Sequence, residues 1–243
     1  MERHALSFTV KPGSEPQVAE ILSSYGRPAA GRRPGGPALL RRTSVFLAGN
    51  RVIRVIDVEG DLHEALAHLA GQPQIQAVEQ ALNPHLEIPR NLADAQSIRA
   101  FQERSVLPLV HDRRTPPGLL PEVPEHLHER RLALLYPVRQ GAGAEVAQLL
   151  AATRVLRPDA ATILARTTIF QRMDVVLRLV EVHGDTDEAL DRIALAAVRS
   201  GGGAKLAPLV TADEDLEDPQ GFRAFLQRIT VRMLTDRRLG VPA

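Results

Sequence analysis

The chain has 243 residues, and its 30 Lys+Arg nearly balance 29 Asp+Glu, so strong electrostatic steering by the whole molecule is excluded, and with it a simple coat for nucleic acid or anionic membrane. Hydrophobic residues make up 44%, enough for a buried core, while the absence of Cys removes disulfides, thiolate nucleophiles, iron–sulfur clusters and Cys-based zinc sites. Aromatic residues make up 3%, with no Trp, which removes the usual stacking platform for single-stranded nucleic acid. No apolar run approaches the ~18 residues of a membrane helix and the N-terminus lacks a signal-peptide core, so a soluble cytoplasmic protein is expected.

In chain order, residues 4–10 read as a short apolar strand. Residues 14–25 read as a helix entered at Pro12-Gly13-Ser14, with Val18, Ile21, Leu22 and Tyr25 at helical spacing. Residues 38–48 and 51–59 read as two strands around the hairpin turn Gly49-Asn50. A helix is expected over 61–70 behind the N-cap candidate Asp61, interrupted at Pro73 and resumed to about Ala81. A strand near 83–88 should close the unit, with an extra helix around 94–105 trailing it. The segment 113–125 is too proline-rich for helix or central strand.

The chain then repeats itself. At an offset of 124, Leu39-Leu-Arg-Arg-Thr-Ser-Val-Phe46 falls on Ile163-Leu-Ala-Arg-Thr-Thr-Ile-Phe170, and Val52–Val58 falls on Val176–Val182. Twelve of the twenty-eight positions from 39 to 66 are identical. The same offset aligns Pro84 with Pro208 and Arg99-Ala-Phe101 with Arg223-Ala-Phe225, and an offset of 128 aligns the first strand with residues 131–138. The extra four residues fall in the Gly/Pro/Arg-rich loop 26–37.

Each copy reads as β-α-β-β-α-β, the ferredoxin-like plan, whose sheet bears helices on one face only. The expected fold is α+β: two tandem ferredoxin-like repeats packed sheet to sheet as a fused dimeric α/β barrel, with a small-molecule pocket between the sheets. The expected divisions are 1–110 for the first repeat, 111–128 for a linker and 129–243 for the second repeat.

Turn position fixes the hairpin register. Arg42 should face Asp57, and Arg166 should face Glu181, while Arg54 and Arg178 sit on the opposite sheet face. One reading is an exposed cross-strand ion pair worth ~0–1 kcal/mol. The other makes Arg42, Asp57, Arg166 and Glu181 catalytic, with an arginine in the cavity holding an enolate or phenolate. At most one face can line that cavity. Arg54, Arg178, His4, Phe46 and Phe170 are the substrate-binding candidates, and His85 and His183 the candidate general bases. His63 and His68 read as helix-face residues, and His111, His126 and His128 as linker; His126-Leu-His128 lacks a carboxylate shell for a metal. Gly141-Ala-Gly-Ala-Glu145 follows a strand and opens a helix, as a dinucleotide fingerprint does, but its third glycine is Val146 and no parallel βαβ unit follows. A helix-entry turn accounts for it.

The doubled unit, the run Arg3-His-Ala-Leu-Ser-Phe-Thr-Val-Lys-Pro-Gly13 and the tail Asp218-Pro-Gln-Gly-Phe-Arg-Ala-Phe225, echoed at residues 94–101, resemble the SchA/CurD-like family of aromatic polyketide gene clusters in actinobacteria, which make spore pigments and pentangular antibiotics. The resemblance implies a tailoring role on polycyclic aromatic polyketides, with some members hydroxylating the aromatic skeleton. No flavin, haem or metal motif is evident. The expected activity is therefore a cofactor-independent monooxygenase with molecular oxygen as co-substrate and no bound metal. Its substrate would be an aromatic polyketide, its partners components of a type II polyketide synthase, and its state monomer or homodimer. A polyketide cyclase on the same barrel and a non-catalytic polyketide-binding subunit are the alternatives.

Overall fold

A computed structural model describes residues 1–26, 29, 40–60, 62–152 and 162–238, and at position 63 the backbone alone. The proposed cap Asp61 and most of the 26–37 loop lie outside the described residues.

The alternating apolar residues of β1 (Glu2–Thr9) lead into α1 (Glu15–Ser24), whose Val18 and Leu22 are buried. The hairpin of β2 (Leu40–Ala48) and β3 (Arg51–Val58) turns at Gly49, with φ +52°. Its register is the expected one, with Phe46 opposite Ile53, Val45 opposite Arg54 and Arg42 opposite Asp57. Pro73 splits the next helix into α2 (Leu62–Ala70) and α3 (Pro73–Leu82). A helix α4 (Ala95–Ser105) follows, with the Asp94 carboxylate accepting the N–H groups of Gln96 and Ser97.

The closing strand differs from expectation. Residues Asn83–His85 form a 3-10 turn, and Leu86 makes only an isolated bridge to Val10. Pro84 has no N–H to give a ladder, so the segment turns. The sheet is closed after α4 by the two residues of β4 (Val106–Leu107), which pair with β1. Pro108 ends that pairing, and its carbonyl accepts the Gln171 N–H as β5 (Leu109–Arg114) begins. Residues 111–114 are thus strand, not linker.

Beyond two 3-10 turns, β6 (Arg130–Pro137) opens the second copy, followed by α5 (Gly143–Ala152), β7 (Leu164–Arg172) and β8 (Val175–Val182). Arg166 is opposite Glu181, as expected. Then come α6 (Thr186–Arg199), capped by the Asp185 carboxylate, the short α7 (Gly202–Leu206), and α8 (Pro219–Ile229), capped by Asp218. Ala197 stands where the first copy has Pro73, so α6 runs through unbroken. The last strand is β9 (Arg232–Arg238).

Two antiparallel sheets result, one per compact unit. The first unit, Met1–Leu107 with Arg232–Ala243, has strand order β4-β1-β3-β2-β9. The second, Pro108–Val231, has order β5-β7-β8-β6. Each sheet takes one edge strand, β9 or β5, from a segment that follows the other repeat. The helices cover one face of each sheet. In the second unit this face holds one continuous core, from Leu134 and Val146 to Phe225 and Ile229. In the first unit it holds two separate clusters, one around Val18, Val52 and Phe101, the other around Ile56, Leu69 and Ile75.

Candidate functional site

A cavity of about 410 Å³ opens between those two clusters. Its floor is the helix-bearing face of the first sheet, through Leu6, Phe8, Val45, Val52 and Arg54. Its walls come from Leu22 and Tyr25 at the end of α1, from both pieces of the broken helix, and from Ile98 and Phe101 of α4. The cavity opens to solvent, and its volume lies in the range of small-molecule sites.

Its polar lining is Arg54, Arg90, Glu79, Gln76, Gln80 and Gln102. Arg54 projects from β3, opposite Val45 and Leu6, and its Nε donates to the Thr43 hydroxyl at 3.5 Å. Arg90 sits between α3 and α4. Asn83 pins its backbone, accepting the Arg90 N–H at 3.0 Å and donating to its carbonyl at 2.8 Å. The Arg90 guanidinium lies 4.0 Å from the Phe101 ring centre and pairs with Glu79. Burial, then the neighbouring cations Arg104 and Arg54, lower its pKa to about 10. Among the described residues, the buried Arg54 Nη2 and Arg90 Nε have no hydrogen-bond partner. At the α1 end, Arg237 of β9 lies over the Tyr25 ring and donates to the carbonyls of Tyr25 and Gly26 at 2.6 and 2.9 Å.

The second unit has a cavity in the same place, but of about 40 Å³. Arg178, the counterpart of Arg54, lines it. Tyr136 replaces Phe8 there, and its buried hydroxyl, pushed up in pKa by desolvation, faces Arg178. Phe222 replaces Ile98 and packs edge-on against Phe225. Glu214 replaces Arg90 and pairs with Arg228 at 2.7 and 2.9 Å. The additional ring of Phe222 takes up space there.

The charged pairs read from the sequence lie on the other face of each sheet. Across the first sheet the charges alternate: Arg3 binds Asp57 at 2.7 and 3.0 Å, and Arg42 binds Asp236 at 2.9 and 2.6 Å. Across the second, Arg131 binds Glu181 at 3.0 and 2.8 Å, and Arg166 binds Asp112 at 2.7 and 2.8 Å. All four arginines are at most 5% exposed, which replaces the reading as exposed pairs. Phe46 and Phe170 are buried on this same face, so they do not share a cavity with Arg54 and Arg178. Neither His4, whose Nε2 lies 3.5 Å from Glu2, nor His85 in its 3-10 turn lines the cavity. His183 stacks on His128 at 4.3 Å between ring centres. Of the eleven candidates, the structure places Arg54 in the large cavity and Arg178 in the small one.

Sequence reasoning passed over Arg90, Glu79 and Phe101. Arg90 carried a readable signal: within an aligned stretch it opposes Glu214, a reversal of charge between the copies. The Gly-Ala-Gly run is explained by packing. Gly141 and Gly143 donate their N–H groups to the Asp174 carboxylate, and a Cβ on Gly143 would fall 1.8 Å from the Met173 carbonyl.

The model of the SchA/CurD like domain matches this chain at residues 1–114 and 130–238. The chain belongs to the SchA/CurD-like family. It is 42% identical over 97% of its length to the 42.8 kDa protein in the whiE locus of Streptomyces coelicolor, and 40% identical over 99% to the polyketide synthase CurD of Streptomyces cyaneus. It covers 58% and 65% of those two proteins, so this SchA/CurD-like chain spans about three-fifths of the curated relatives it matches. In fold it is similar to a candidate monooxygenase of Fusobacterium nucleatum, with a TM-score of 0.51 at 8% identity, covering 99% of this chain and 95% of that one. Among the described residues no helix is long and apolar enough to cross a membrane.

Proposed function

We propose that this SchA/CurD-like chain binds a polycyclic aromatic polyketide in the cavity of its first unit and oxygenates it. The observation that carries the reading is the cavity itself: about 410 Å³, walled mainly by Leu, Val, Ile and Phe, with Arg54, Arg90, Glu79 and three glutamines as its polar groups. Flat fused rings fill such a slot, and the apolar walls keep water from a reactive polyphenol. The relatives support the substrate class, since one carries the name of a polyketide synthase. A methylene between aromatic rings, as in an anthrone, supplies all four electrons for dioxygen: the CH₂ becomes C=O, and the second oxygen atom leaves as water. The reaction balances without an external reductant. The chain's part is to hold the rings, exclude water and favour loss of the first proton.

The test is incubation of the protein with an anthrone under ¹⁸O₂ and under argon, read by mass spectrometry. One ¹⁸O in the product, formed faster than without protein and absent under argon, supports the oxygenase. A product formed equally under argon overturns it in favour of ring closure.

A further inference from the structure

The two copies of the unit differ most in charge at one point of the same slot. In the second unit Glu214 and Arg228 neutralise one another, with Arg228 lying 5.3 Å from the Phe225 ring centre. In the first unit, position 90 is arginine, while position 104 keeps its arginine, 5.1 Å from the ring of Phe101. Reversing that one charge turns a closed pair into two like charges beside one ring. Arg104 is turned outward, donating to the Ile88 carbonyl, while Arg90 lines the cavity. There it joins Arg54, and one carboxylate, Glu79, answers the two guanidiniums.

An arginine cannot shed its charge, and a buried cation without a counter-ion is costly. Arg90 is 9% exposed, yet its Nε has no partner among the described residues, and neither does the buried Nη2 of Arg54. The cavity thus holds one surplus positive charge and two idle donors, within walls that are mainly apolar apart from Gln76, Gln80 and Gln102. These are the needs that an anionic oxygen on a flat aromatic ring meets: the rings take the walls, and the oxygen takes the donors. The Phe101 ring, with Arg90 against its face, shows that this guanidinium already tolerates an aromatic neighbour at 4.0 Å.

We propose that Arg54 and Arg90 form an oxyanion site in the first unit, and that the ligand is bound there as a monoanion, through a phenolate or enolate oxygen. This rests on the reading of the cavity as the aromatic-ligand site. The second unit has idle donors of its own at Arg178 and Tyr136, but its slot of about 40 Å³ is too small for fused rings and binds no such ligand.

The test needs a probe that cannot be oxygenated at a methylene, so that its result is separate from catalysis. 2-Hydroxyanthraquinone serves, because its phenolate absorbs at longer wavelength than its phenol; 2-methoxyanthraquinone is the control without an ionisable group. The hydroxy compound should bind one per chain, about tenfold or more tighter than the methoxy compound at neutral pH, the factor that one charge-assisted hydrogen bond supplies. Its bound phenol should ionise about one pH unit or more below the free phenol. Arg54→Gln and Arg90→Gln should each reduce that shift and the preference for the hydroxy over the methoxy compound. The comparison of the two probes on the unaltered protein does not depend on either variant folding. Equal affinity for both probes, an unshifted phenol, or no binding of either overturns the proposal. Absence of ¹⁸O incorporation from an anthrone would overturn the oxygenase and leave the oxyanion site standing.

Discussion

Arg42 on β2 and Asp236 on β9 face each other through two hydrogen bonds, at 2.9 and 2.6 Å, and Arg166 on β7 repeats that grip on Asp112 of β5. A hydroxyl adds to each carboxylate: Ser44 to Asp236 at 2.8 Å and Thr168 to Asp112 at 2.9 Å. Both edge strands that reach a sheet from the far end of a repeat are held by this device. With Asp57 and Glu181 in the adjacent rungs, it forms a buried row of alternating charge.

The row predicts a large cost for removing one member. Asp236→Ala leaves Arg42 buried with less counter-charge, and should destabilise the chain by about 3 kcal/mol in denaturant unfolding. Amide exchange should rise first in residues 232–238. A variant as stable as the parent would remove β9 pairing from the account of the first unit.

Gly143→Ala tests the helix-entry turn. Its new Cβ would meet the Met173 carbonyl, which belongs to a backbone and cannot swing away. The hairpin and α5 must part, costing about 1–3 kcal/mol. A thermal melt within 1 °C of the parent would mean the contact relaxes freely.

Ile98→Phe copies the residue that the second unit carries at 222. The additional ring should enter the cavity, leave the melting temperature equal or higher, and weaken hydroxyanthraquinone binding at least tenfold by titration. Undiminished binding would place the ligand elsewhere.

Glu214 gives a pH signature. The hydrogen bonds from Arg228 hold its carboxyl at about 2, below the 4.5 of a free glutamate side chain. A carboxyl whose folded pKa is depressed contributes stability above its unfolded pKa and loses it as pH falls through the folded value. The stability gap between the parent and Glu214→Gln should be constant above about pH 4.5 and shrink as pH falls from there towards 2. Arg228 is partly exposed, so the gap should stay under about 1 kcal/mol. A gap independent of pH from 6 to 3 would contradict the pairing.

The repeat and the hairpin registers were legible because they rest on short-range patterns: alternation along β2 and β3, and the two-residue turn that aligns Arg42 with Asp57. The closing strand was misread at Pro84, because residues 83–88 were read as extended although Pro84 lacks the N–H a ladder needs. The exchange of β5 and β9 was hidden, because nothing local tells a strand which sheet it will join. The same limit hid the partners of Arg42 and Arg166, which are 194 and 54 residues away. The cavity depends on what is missing between two packed clusters, and no single residue announces a gap. Arg54, alone on its strand face, was the one residue of it named as a site candidate from the sequence, and the mismatch of Arg90 against Glu214 was passed over.

The most direct measurement is a crystal structure of the chain soaked with 2-hydroxyanthraquinone. The account predicts fused-ring density in the first unit's cavity, among Phe8, Leu69 and Phe101, with one ring oxygen within hydrogen-bond distance of Arg54 or Arg90. Density anywhere else on the molecule, with that cavity empty, would contradict it.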